Sequence, residues 1–440
     1  MNSLHVKYVL VGAGAAGSAA AAAIRQRDPV GSILMVGQET SRPYLRPALS
    51  KQFLRRQKTR TELAIDPIGW YDEQKIELRT GRRVMHLDTA RHAVTLDSGE
   101  EISFDRLLLC TGATPRPLRI PGADLPNVFT LRTIDDADRL HHAIDKAKYE
   151  GRPHPGAQPR AAARGRAVVI GSGLLAVEVA ASLKQVGLHV ELLVGRALPW
   201  GKFAGEYTGR FLTRYLESRG VVVHPNIGPD RCEGDGRVQR VLASGGTTPT
   251  QLTIECDFVV SAIGITINRE LLRGTPIAAE KAILVDEHCQ TNVPGIFAAG
   301  DCAAVYDPLF GKHRILDHWT SARYTGQVAG ANMAGNTAVR YDTVNSFTSE
   351  VFDLTLHAWG EPRLVDHRLV RASAGNGNAP ADEREFAEIG IAADGRVAQV
   401  LAIGRSSEHE VYRQLVARRF DITGKEELIK DPTRDLAALL

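Results

Sequence analysis

The chain has 440 residues, of which 43% are hydrophobic and 24% charged, a globular balance that excludes a disordered or fibrous protein. Its formal net charge of +3 is too small to indicate nucleic acid as a partner, and no apolar run is long enough to span a bilayer. Its N-terminal residues enter a predicted strand without the pattern of a signal or transit peptide, so we expect a cytoplasmic protein. From the length of the chain we expect two or three domains.

The first predicted element is a strand that runs directly into a glycine-rich turn. Residues 8–11 are apolar, and Gly12, Gly14 and Gly17 follow in the pattern G-x-G-x-x-G. Gly12 allows the tight turn, Gly14 lets a pyrophosphate approach the backbone, and Gly17 lets the next helix pack on the strand. The alanine-rich run 15–27 predicts that helix, and its first amides would bind the anion. The pattern therefore predicts a dinucleotide site.

A second apolar strand is predicted at residues 33–36. In this motif an acidic side chain at the end of the second strand binds the ribose hydroxyls. The candidates here are Gln38 and Glu39. Glu39 is preferred, and Gln38 is the alternative.

The segment 42–51 reads R-P-Y-L-R-P-A-L-S-K and, from its composition, predicts a surface loop. After a Rossmann strand, this run resembles the flavin-binding loop of FAD-dependent ferredoxin reductases and of apoptosis-inducing factor. The resemblance places Arg46 and Lys51 along the flavin. Ala48 departs from the family pattern, which has a second proline at that position.

Three segments of alternating polarity, at residues 84–88, 92–96 and 101–104, predict a β-meander. The meander leads into the run 107–116, which resembles the family's A-T-G-x-x-P-R strand end, with Cys110 in place of the usual alanine. The resemblance implies that the arginine of this run contacts the FAD pyrophosphate and that the chain leaves the domain here.

A second strand, turn and helix carry Gly171, Gly173 and Ala176 in the same spacing. Two such cradles in one chain favour a flavin and a nicotinamide cofactor, each on its own Rossmann domain. At the end of this domain's second strand, Val194 stands where an NADH-binding domain usually has an acid, and Arg196 follows. Because arginine accommodates a 2′-phosphate, the pair favours NADPH, with NADH as the alternative.

Two later runs extend the resemblance. The run 257–268 resembles the family's G-x-x-x-N exit and places Gly264 close to the nicotinamide cofactor. The run 296–301 reads I-F-A-A-G-D and predicts a strand that ends at a helix N-terminus. There the Asp301 carboxylate would accept hydrogen bonds from ribityl hydroxyls.

The helix that follows opens with D-H-W-T-S-A at residues 317–322, which resembles the family's E-H-W-x-x-A. In the family the first turn of this helix lies beneath the flavin pyrimidine ring, where its amides stabilise negative charge. Asp317 replaces the usual glutamate. His318 is a candidate flavin-facing residue, with a capping or packed histidine as the alternative.

The sequence thus predicts an α/β fold with two Rossmann-like, three-layer ββα dinucleotide-binding domains and a C-terminal α+β domain. The predicted FAD domain is discontinuous, at residues 1–118 and 276–345. The NAD(P)-binding domain covers 119–275 and the C-terminal domain 346–440. A basic, Pro- and Gly-rich stretch at 151–166 predicts a solvated loop.

The resemblance implies an FAD-dependent NAD(P)H oxidoreductase of the pyridine nucleotide-disulfide superfamily, in the branch of ferredoxin reductases and apoptosis-inducing factor. Its half-reaction would be hydride transfer from NAD(P)H to flavin N5. Family positions imply that Lys51, from the FAD domain, and Glu178, from the NAD(P)-domain helix, face each other at the N5 edge. With His318 they form the predicted catalytic set, and no metal is expected.

Five cysteines are scattered without a C-x-x-C pair, which predicts reduced, buried thiols and disfavours disulfide chemistry. Electrons should therefore leave one at a time, or to a quinone or oxygen. The basic run 55–60 favours an acidic ferredoxin-like acceptor, with a solvated loop as the alternative. A different class of function is a redox-sensing binding protein like apoptosis-inducing factor, with a long-lived reduced charge-transfer complex. A homodimer is left open.

The predicted cofactor contacts lie at the glycine turns, strand ends and helix starts described above. They are Gly12, Gly14, Ala15, Ala16, Gly17, Gln38, Glu39, Arg46, Lys51, Val84, Thr111, Gly112, Arg116, Gly171, Gly173, Leu174, Leu175, Glu178, Arg196, Gly264, Gly300, Asp301, His318 and Trp319.

Overall fold

A computed structural model describes most of the chain, namely residues 4–150, 165–246, 251–335, 338–372 and 384–440. The loop predicted at 151–166 lies outside the described residues, apart from Gly165 and Arg166. Among the helices in the described part of the chain, none has the length and apolar character needed to cross a bilayer.

The described residues form both strands and helices, and in several regions many strands follow one another with no α-helix between them. In chain order the strands are β1 (Leu4–Val11), β2 (Ile33–Val36), β3 (Ile76–Arg79), β4 (Val84–Asp88), β5 (Ala93–Leu96), β6 (Glu101–Leu109), β7 (Ala113–Pro115), β8 (Val128–Phe129), β9 (Arg166–Ile170), β10 (His189–Val194), β11 (Val221–Pro225), β12 (Ile227–Glu233), β13 (Arg240–Gly245), β14 (Leu252–Glu255), β15 (Phe258–Ser261), β16 (Ile265–Ile267), β17 (Ile283–Val285), β18 (Ile296–Ala298), β19 (Ala303–Asp307), β20 (Lys312–Ile315), β21 (Ser346–Val351), β22 (Leu354–Gly360), β23 (Val365–Ala372), β24 (Phe386–Ala392) and β25 (Val397–Ile403). The α-helices are α1 (Ala15–Arg27), α2 (Trp70–Glu73), α3 (Ile134–Glu150), α4 (Leu174–Gln185), α5 (Glu206–Ser218), α6 (Trp319–Ala334), α7 (His409–Ala417) and α8 (Glu426–Lys430).

Contacts group the chain into two compact units. The first unit comprises Met1–Arg46, Arg60–Thr114 and Ile265–Ser346, and the second comprises Pro47–Thr59, Pro115–Gly264 and Phe347–Leu440. These units differ from the predicted domains, because residues 47–59 and the C-terminal region both group with the nicotinamide-type domain. The three-domain division stays a prediction.

The first unit is built on a seven-stranded sheet in the order β3-β2-β1-β6-β5-β4, with β18 paired to β6. Strands β1, β2, β3 and β18 run parallel to β6 and join the apolar core. Strand β4 pairs antiparallel with β5, and β5 pairs antiparallel with β6, which confirms the predicted meander. The parallel part matches the predicted Rossmann fold, in which a cofactor lies at the carboxyl ends of the strands.

The second unit contains a parallel sheet in the order β11-β10-β9-β15-β8. A small antiparallel sheet, β12-β13-β14, follows in the same unit. The C-terminal region forms a third sheet in the order β21-β22-β25-β24-β23, with α7 and α8 after it. The two Rossmann-type sheets and the C-terminal sheet with its helices confirm the predicted fold class.

Helices α1 and α6 of the first unit pack closely because glycines face backbone. A Cβ on Gly326 would overlap the carbonyl oxygen of Ala16, and a Cβ on Gly330 would overlap that of Ala20. Both alanines lie on α1, whose short side chains allow this approach. The packing fixes α1, and therefore the glycine turn before it, against the helix that begins at Trp319.

We expect Gly330→Val to destabilise the first unit by about 1–3 kcal/mol, the usual cost of overpacking a core. Valine has a higher helix propensity than glycine, so a loss must come from the overlap with Ala20. Gln327→Val places the same side chain on the exposed face of α6 and should leave the thermal midpoint nearly unchanged. Equal midpoints for both variants, followed by thermal unfolding, would contradict this packing.

Candidate functional site

The first glycine turn joins β1 to α1. The amide of Gly12 donates to the carbonyl of Val36 over 2.8 Å, and the amide of Cys110 donates to that of Val11 over 2.9 Å. Gly12 has φ +130°, and a Cβ there would overlap the carbonyl of Cys110. A Cβ on Gly17 would overlap the carbonyl of Gly12. These two glycines are therefore required by the packing of the protein itself.

Gly14 is different, because nothing in the described protein requires a glycine there. Its φ of −108° suits any residue, and an added Cβ would have no described atom within 4 Å. Helix α1 begins at the next residue with no side-chain cap from the described residues and no acid in its first turn. The amides of Ala15 and Ala16 thus face a space that fits a pyrophosphate, so the turn fits the predicted FAD.

Glu39, at the end of β2, is already in a polar cluster. Arg46 Nη2 donates to Glu39 Oε1 over 2.7 Å, the Tyr44 hydroxyl donates to Glu39 Oε2 over 2.6 Å, and Arg46 Nη1 donates to the Tyr44 oxygen over 3.0 Å. Burial alone would lower the pKa of Arg46, but Tyr44, Glu39 and Asp301 together raise it. The structure thus brings Glu39, Arg46 and Asp301 into one electrostatic group, while Gln38 is exposed.

Thr111 and Gly112 follow β6, the central strand of the first unit. Asn268 Nδ2 donates to the Thr111 carbonyl over 2.9 Å, and the Asn268 amide donates to the Gly112 carbonyl over 3.1 Å. Gly112 has φ +67°, a left-handed conformation that favours glycine. The side chain of Val84 is buried in the core, so its backbone alone is left to contact a cofactor.

Gly300, Asp301 and His318 lie near the start of α6 in the first unit. Gly300 is left-handed, with φ +72°, and its amide donates to the Thr325 hydroxyl over 3.0 Å. His318 is the N-cap residue of α6, but its side chain makes no capping hydrogen bond. Burial lowers the pKa of His318, although Asp317 and Asp301 oppose the shift. Trp319 is the first residue of the helix and is half-buried.

The second glycine turn repeats the geometry of the first within the second unit. Gly171 has φ +147°, and a Cβ there would overlap the carbonyl of Ala262. Gly173 has φ −88°, and an added Cβ would have no described atom within 4 Å. Helix α4 begins directly afterwards at Leu174 and Leu175, uncapped by any described side chain and without an acid in its first turn. This turn fits a second pyrophosphate.

Lys51 and Glu178 form a buried ion pair inside the second unit. Lys51 Nζ lies 3.0 Å from Glu178 Oε1, and the two side chains are 10% and 8% exposed. Ser50 donates to Oε2 over 2.6 Å, and Ser349 donates to Oε1 over 2.8 Å. The sequence predicted that the pair would come from two domains, but the loop with Lys51 groups with the helix of Glu178. Motif reasoning named the pair and missed both serines.

Arg116 and part of the basic run 55–60 make contacts within the second unit. Arg116 was predicted in the FAD domain, but it groups with the second unit, where its amide donates to the carbonyl of Gly264 over 2.9 Å. The basic run 55–60 is partly used internally, since Arg55 Nη1 lies 3.3 Å from both the Ser182 hydroxyl and Gln185 Oε1, and Arg56 pairs with Asp145. Arg55 is therefore less available to an acidic partner than a basic docking surface at 55–60 would require.

A cavity of about 820 Å³ opens beyond the carboxyl ends of β10 and β11. Three arginines line it, Arg196, Arg210 and Arg214, and all three are exposed. Val194, the last residue of β10, is fully buried and contributes no acid. The segment that follows is tied to the glycine turn, because the amide of Trp200 donates to the carbonyl of Ser172 over 2.7 Å. The cavity is thus a basic site in the same unit as the second turn.

All five cysteines are free and buried. Burial raises the pKa of Cys256 to about 12 and raises the pKa of Cys289 further. Protonated, buried thiols are poor nucleophiles. These properties match the predicted inert thiols and provide no redox pair.

Comparisons with known proteins agree on one family. The family model described as pyridine nucleotide-disulphide oxidoreductase matches residues 6–326. The biphenyl dioxygenase system ferredoxin–NAD(+) reductase component of Paraburkholderia xenovorans is 30% identical over 431 residues, 98% of this chain and 97% of the relative. Rhodocoxin reductase of Rhodococcus erythropolis is 31% identical over 425 residues, 96% and 92% of the two chains. The solved putidaredoxin reductase–putidaredoxin complex matches with a TM-score of 0.86 at 26% identity, covering 99% of this chain and 98% of that chain.

The two open glycine positions generate a paired prediction. Gly14→Ala should weaken FAD binding by at least about tenfold while leaving the apoprotein folded, because its Cβ meets only the space for the pyrophosphate. Gly173→Ala should instead retain FAD and weaken NAD(P)H binding. Gly228→Ala, on β12, also meets no described atom and should change neither affinity. Flavin titration of the apoprotein measures FAD affinity, and cofactor titration of the holoprotein measures NAD(P)H affinity. Loss of FAD in all three variants would contradict the assignment of Gly14 to FAD and of Gly173 to NAD(P)H.

Proposed function

The chain belongs to the pyridine nucleotide-disulphide oxidoreductase family, and from this premise we propose that it passes electrons from a nicotinamide cofactor, through FAD, to a ferredoxin. It is an FAD-dependent NAD(P)H oxidoreductase of the ferredoxin reductase branch. The observation that carries the proposal is the pair of open positions, Gly14 in the first unit and Gly173 in the second, each before an uncapped helix.

The residues of this chain bind and align, since the bound flavin supplies the redox chemistry by accepting hydride and releasing electrons singly. The first amides of α1 and α4 would each hold one pyrophosphate. Glu39 would accept hydrogen bonds from the FAD ribose, and Asp301 from the ribityl chain. Lys51, Glu178 and His318 are the proposed polar residues of the hydride-transfer site. Of these, the Lys51–Glu178 pair keeps a cation and its counter-charge fixed with little access to water.

Two observations support a ferredoxin as the electron acceptor. The five buried thiols provide no dithiol relay, so electrons must leave from the flavin itself. The relatives from Paraburkholderia xenovorans and Rhodococcus erythropolis are named as reductases, the first of them of a ferredoxin. An acidic partner could also reach the basic run, where Arg56 and Arg60 are exposed, although Arg56 pairs with Asp145.

Anaerobic stopped-flow tests the proposal directly. After bleaching by NAD(P)H, the flavin absorbance should return much faster on mixing with a purified [2Fe–2S] ferredoxin than with air-saturated buffer. The ferredoxin rate should fall as salt rises, since opposite charges steer the encounter. Slow reoxidation by the ferredoxin, a quinone and oxygen alike would favour the redox-sensing binding protein, with its long-lived reduced complex.

FAD and NAD(H) are the cofactors expected for this family, and the relative from Paraburkholderia xenovorans is named for NAD(+). We infer that this chain prefers NADPH. The end of β10 has the buried Val194 where a carboxylate would repel a 2′-phosphate, and the basic cavity begins two residues later at Arg196. Arg210 lies on the same wall and shares its charge with Glu206, since Nε is 2.7 Å from the carboxylate.

Arg196→Ala should lower kcat/KM for NADPH by about tenfold or more, since a hydrogen bond to a charged group contributes about 1.5–3 kcal/mol. The value for NADH should change little, because NADH has no 2′-phosphate. The control is Arg413→Ala, which removes an exposed arginine on α7 that pairs with a glutamate. It should change kcat/KM for neither cofactor. Steady-state kinetics with both cofactors measure this, and a higher kcat/KM for NADH in the unchanged protein would overturn the inference.

A further inference from the structure

We propose that Ser349 is a positioning residue for hydride transfer, holding the Glu178 carboxylate in the orientation that meets Lys51. The proposal rests on the function proposed above. It adds a residue of the C-terminal region to the ion pair of Lys51 and Glu178 that motif positions assign. The Ser349 hydroxyl remains a hydrogen-bond donor throughout and exchanges no proton in the reaction.

The contacts of Glu178 show why a third group is needed. Glu178 Oε1 accepts from both Lys51 Nζ, at 3.0 Å, and the Ser349 hydroxyl, at 2.8 Å. Glu178 Oε2 accepts from the Ser50 hydroxyl at 2.6 Å. Ser50 directly precedes Lys51 in the chain, so the contacts from these two residues come from one loop. Ser349 is the donor that reaches the carboxylate from a separate element, β21.

Burial makes this contact a determinant of geometry. Ser349 is 1% exposed, Ser50 3% and Glu178 7%, so water has little access to replace a lost donor. An ionised carboxylate in such a place needs its lone pairs satisfied by fixed donors. With Ser349 present, the two carboxylate oxygens are held from two directions, and rotation about the terminal bond of Glu178 would break contacts on both sides.

Neighbouring contacts keep β21 in register with the loop and with α4. Gln52 Nε2 donates to Glu350 Oε2 over 2.9 Å, directly beside Ser349. One turn further along α4, the Ser182 hydroxyl donates to the Ser50 carbonyl over 2.7 Å. Hydrogen bonds therefore connect the loop with β21 and with α4 on both sides of Glu178. Ser349 is placed by these contacts, and it is not a mobile surface hydroxyl.

The test compares Ser349→Ala with a matched control, Thr208→Val. The Thr208 hydroxyl lies on α5 in the same unit, is fully buried and has no hydrogen-bond partner among the described residues, so its removal breaks no contact. In stopped-flow bleaching at saturating NAD(P)H, Ser349→Ala should reduce flavin about tenfold more slowly, the order expected for one hydrogen bond to a charged group. Its flavin content and cofactor Kd should match the unchanged protein. Thr208→Val should keep the reduction rate, and Ser349→Thr, which retains a hydroxyl, should restore most of it.

A second readout does not depend on turnover. Thermal midpoints of the holoprotein are measured for Ser349→Ala, Glu178→Gln and the double variant. If Ser349 acts through Glu178, the double variant should lose less than the sum of the two single losses. Additive losses would mean that the hydroxyl does not act on this carboxylate, and they would overturn the proposal even if Ser349→Thr failed to fold.

The outcomes separate the two proposals. If NAD(P)H does not bleach the flavin of the unchanged protein, the proposed function fails. The thermal midpoints of the single and double variants still test the contact between Ser349 and Glu178. If bleaching is normal and Ser349→Ala reduces at the unchanged rate, the positioning role fails and the proposed function stands. Equal slowing by Ser349→Ala and Thr208→Val would also overturn the positioning role, since it would reflect general loss of packing.

Discussion

The buried ion pair of Lys51 and Glu178 is the interaction on which the organisation of the second unit depends. Taking two charges out of water is unfavourable unless each is paired and its remaining hydrogen bonds are satisfied. Here the serines on either side complete the shell of the carboxylate. The requirement explains why two segments distant in sequence, the loop with Lys51 and the strand with Ser349, converge at one helix. It also explains why residues 47–59 group with the second unit, although the preceding strand and loop belong to the first.

The two glycine turns separate packing from ligand binding. Gly12, Gly17 and Gly171 face backbone carbonyls, so the protein needs them whether or not a cofactor binds. Gly14 and Gly173 face open space with ordinary backbone angles, so a pyrophosphate has room to approach the backbone at these two positions. A motif match treats all glycines of a turn alike, whereas the structure shows which position belongs to the ligand. The same distinction appears in both units, which strengthens the reading of each as a dinucleotide site.

Local patterns predicted much of the fold. The strand at 33–36 and the helix at 15–27 were predicted with their observed bounds, because apolar runs and helix propensity depend only on neighbouring residues. The predicted meander at 84–104 was also confirmed. The resemblance predicted the long-range pair of Lys51 and Glu178, but other long-range contacts were not predicted: Ser349 meets Glu178 across 171 positions, and Arg116 bonds to Gly264 across a predicted domain boundary. Serine is common on surfaces, so no local signal marks Ser349 as a site residue.

The C-terminal sheet also contacts α5 within the second unit, and this contact constrains how the basic cavity can bind a phosphate. Glu388, on β24, is 1% exposed and accepts hydrogen bonds from the amides of Gly205 and Thr208, at 2.7 and 3.0 Å. A carboxylate therefore occupies the N-terminus of α5, where the helix dipole would otherwise attract an anion. Since Gly205 also lines the cavity, a phosphate bound there must be held by arginine side chains and not by helix amides. Specificity for the 2′-phosphate would then depend on side chains alone.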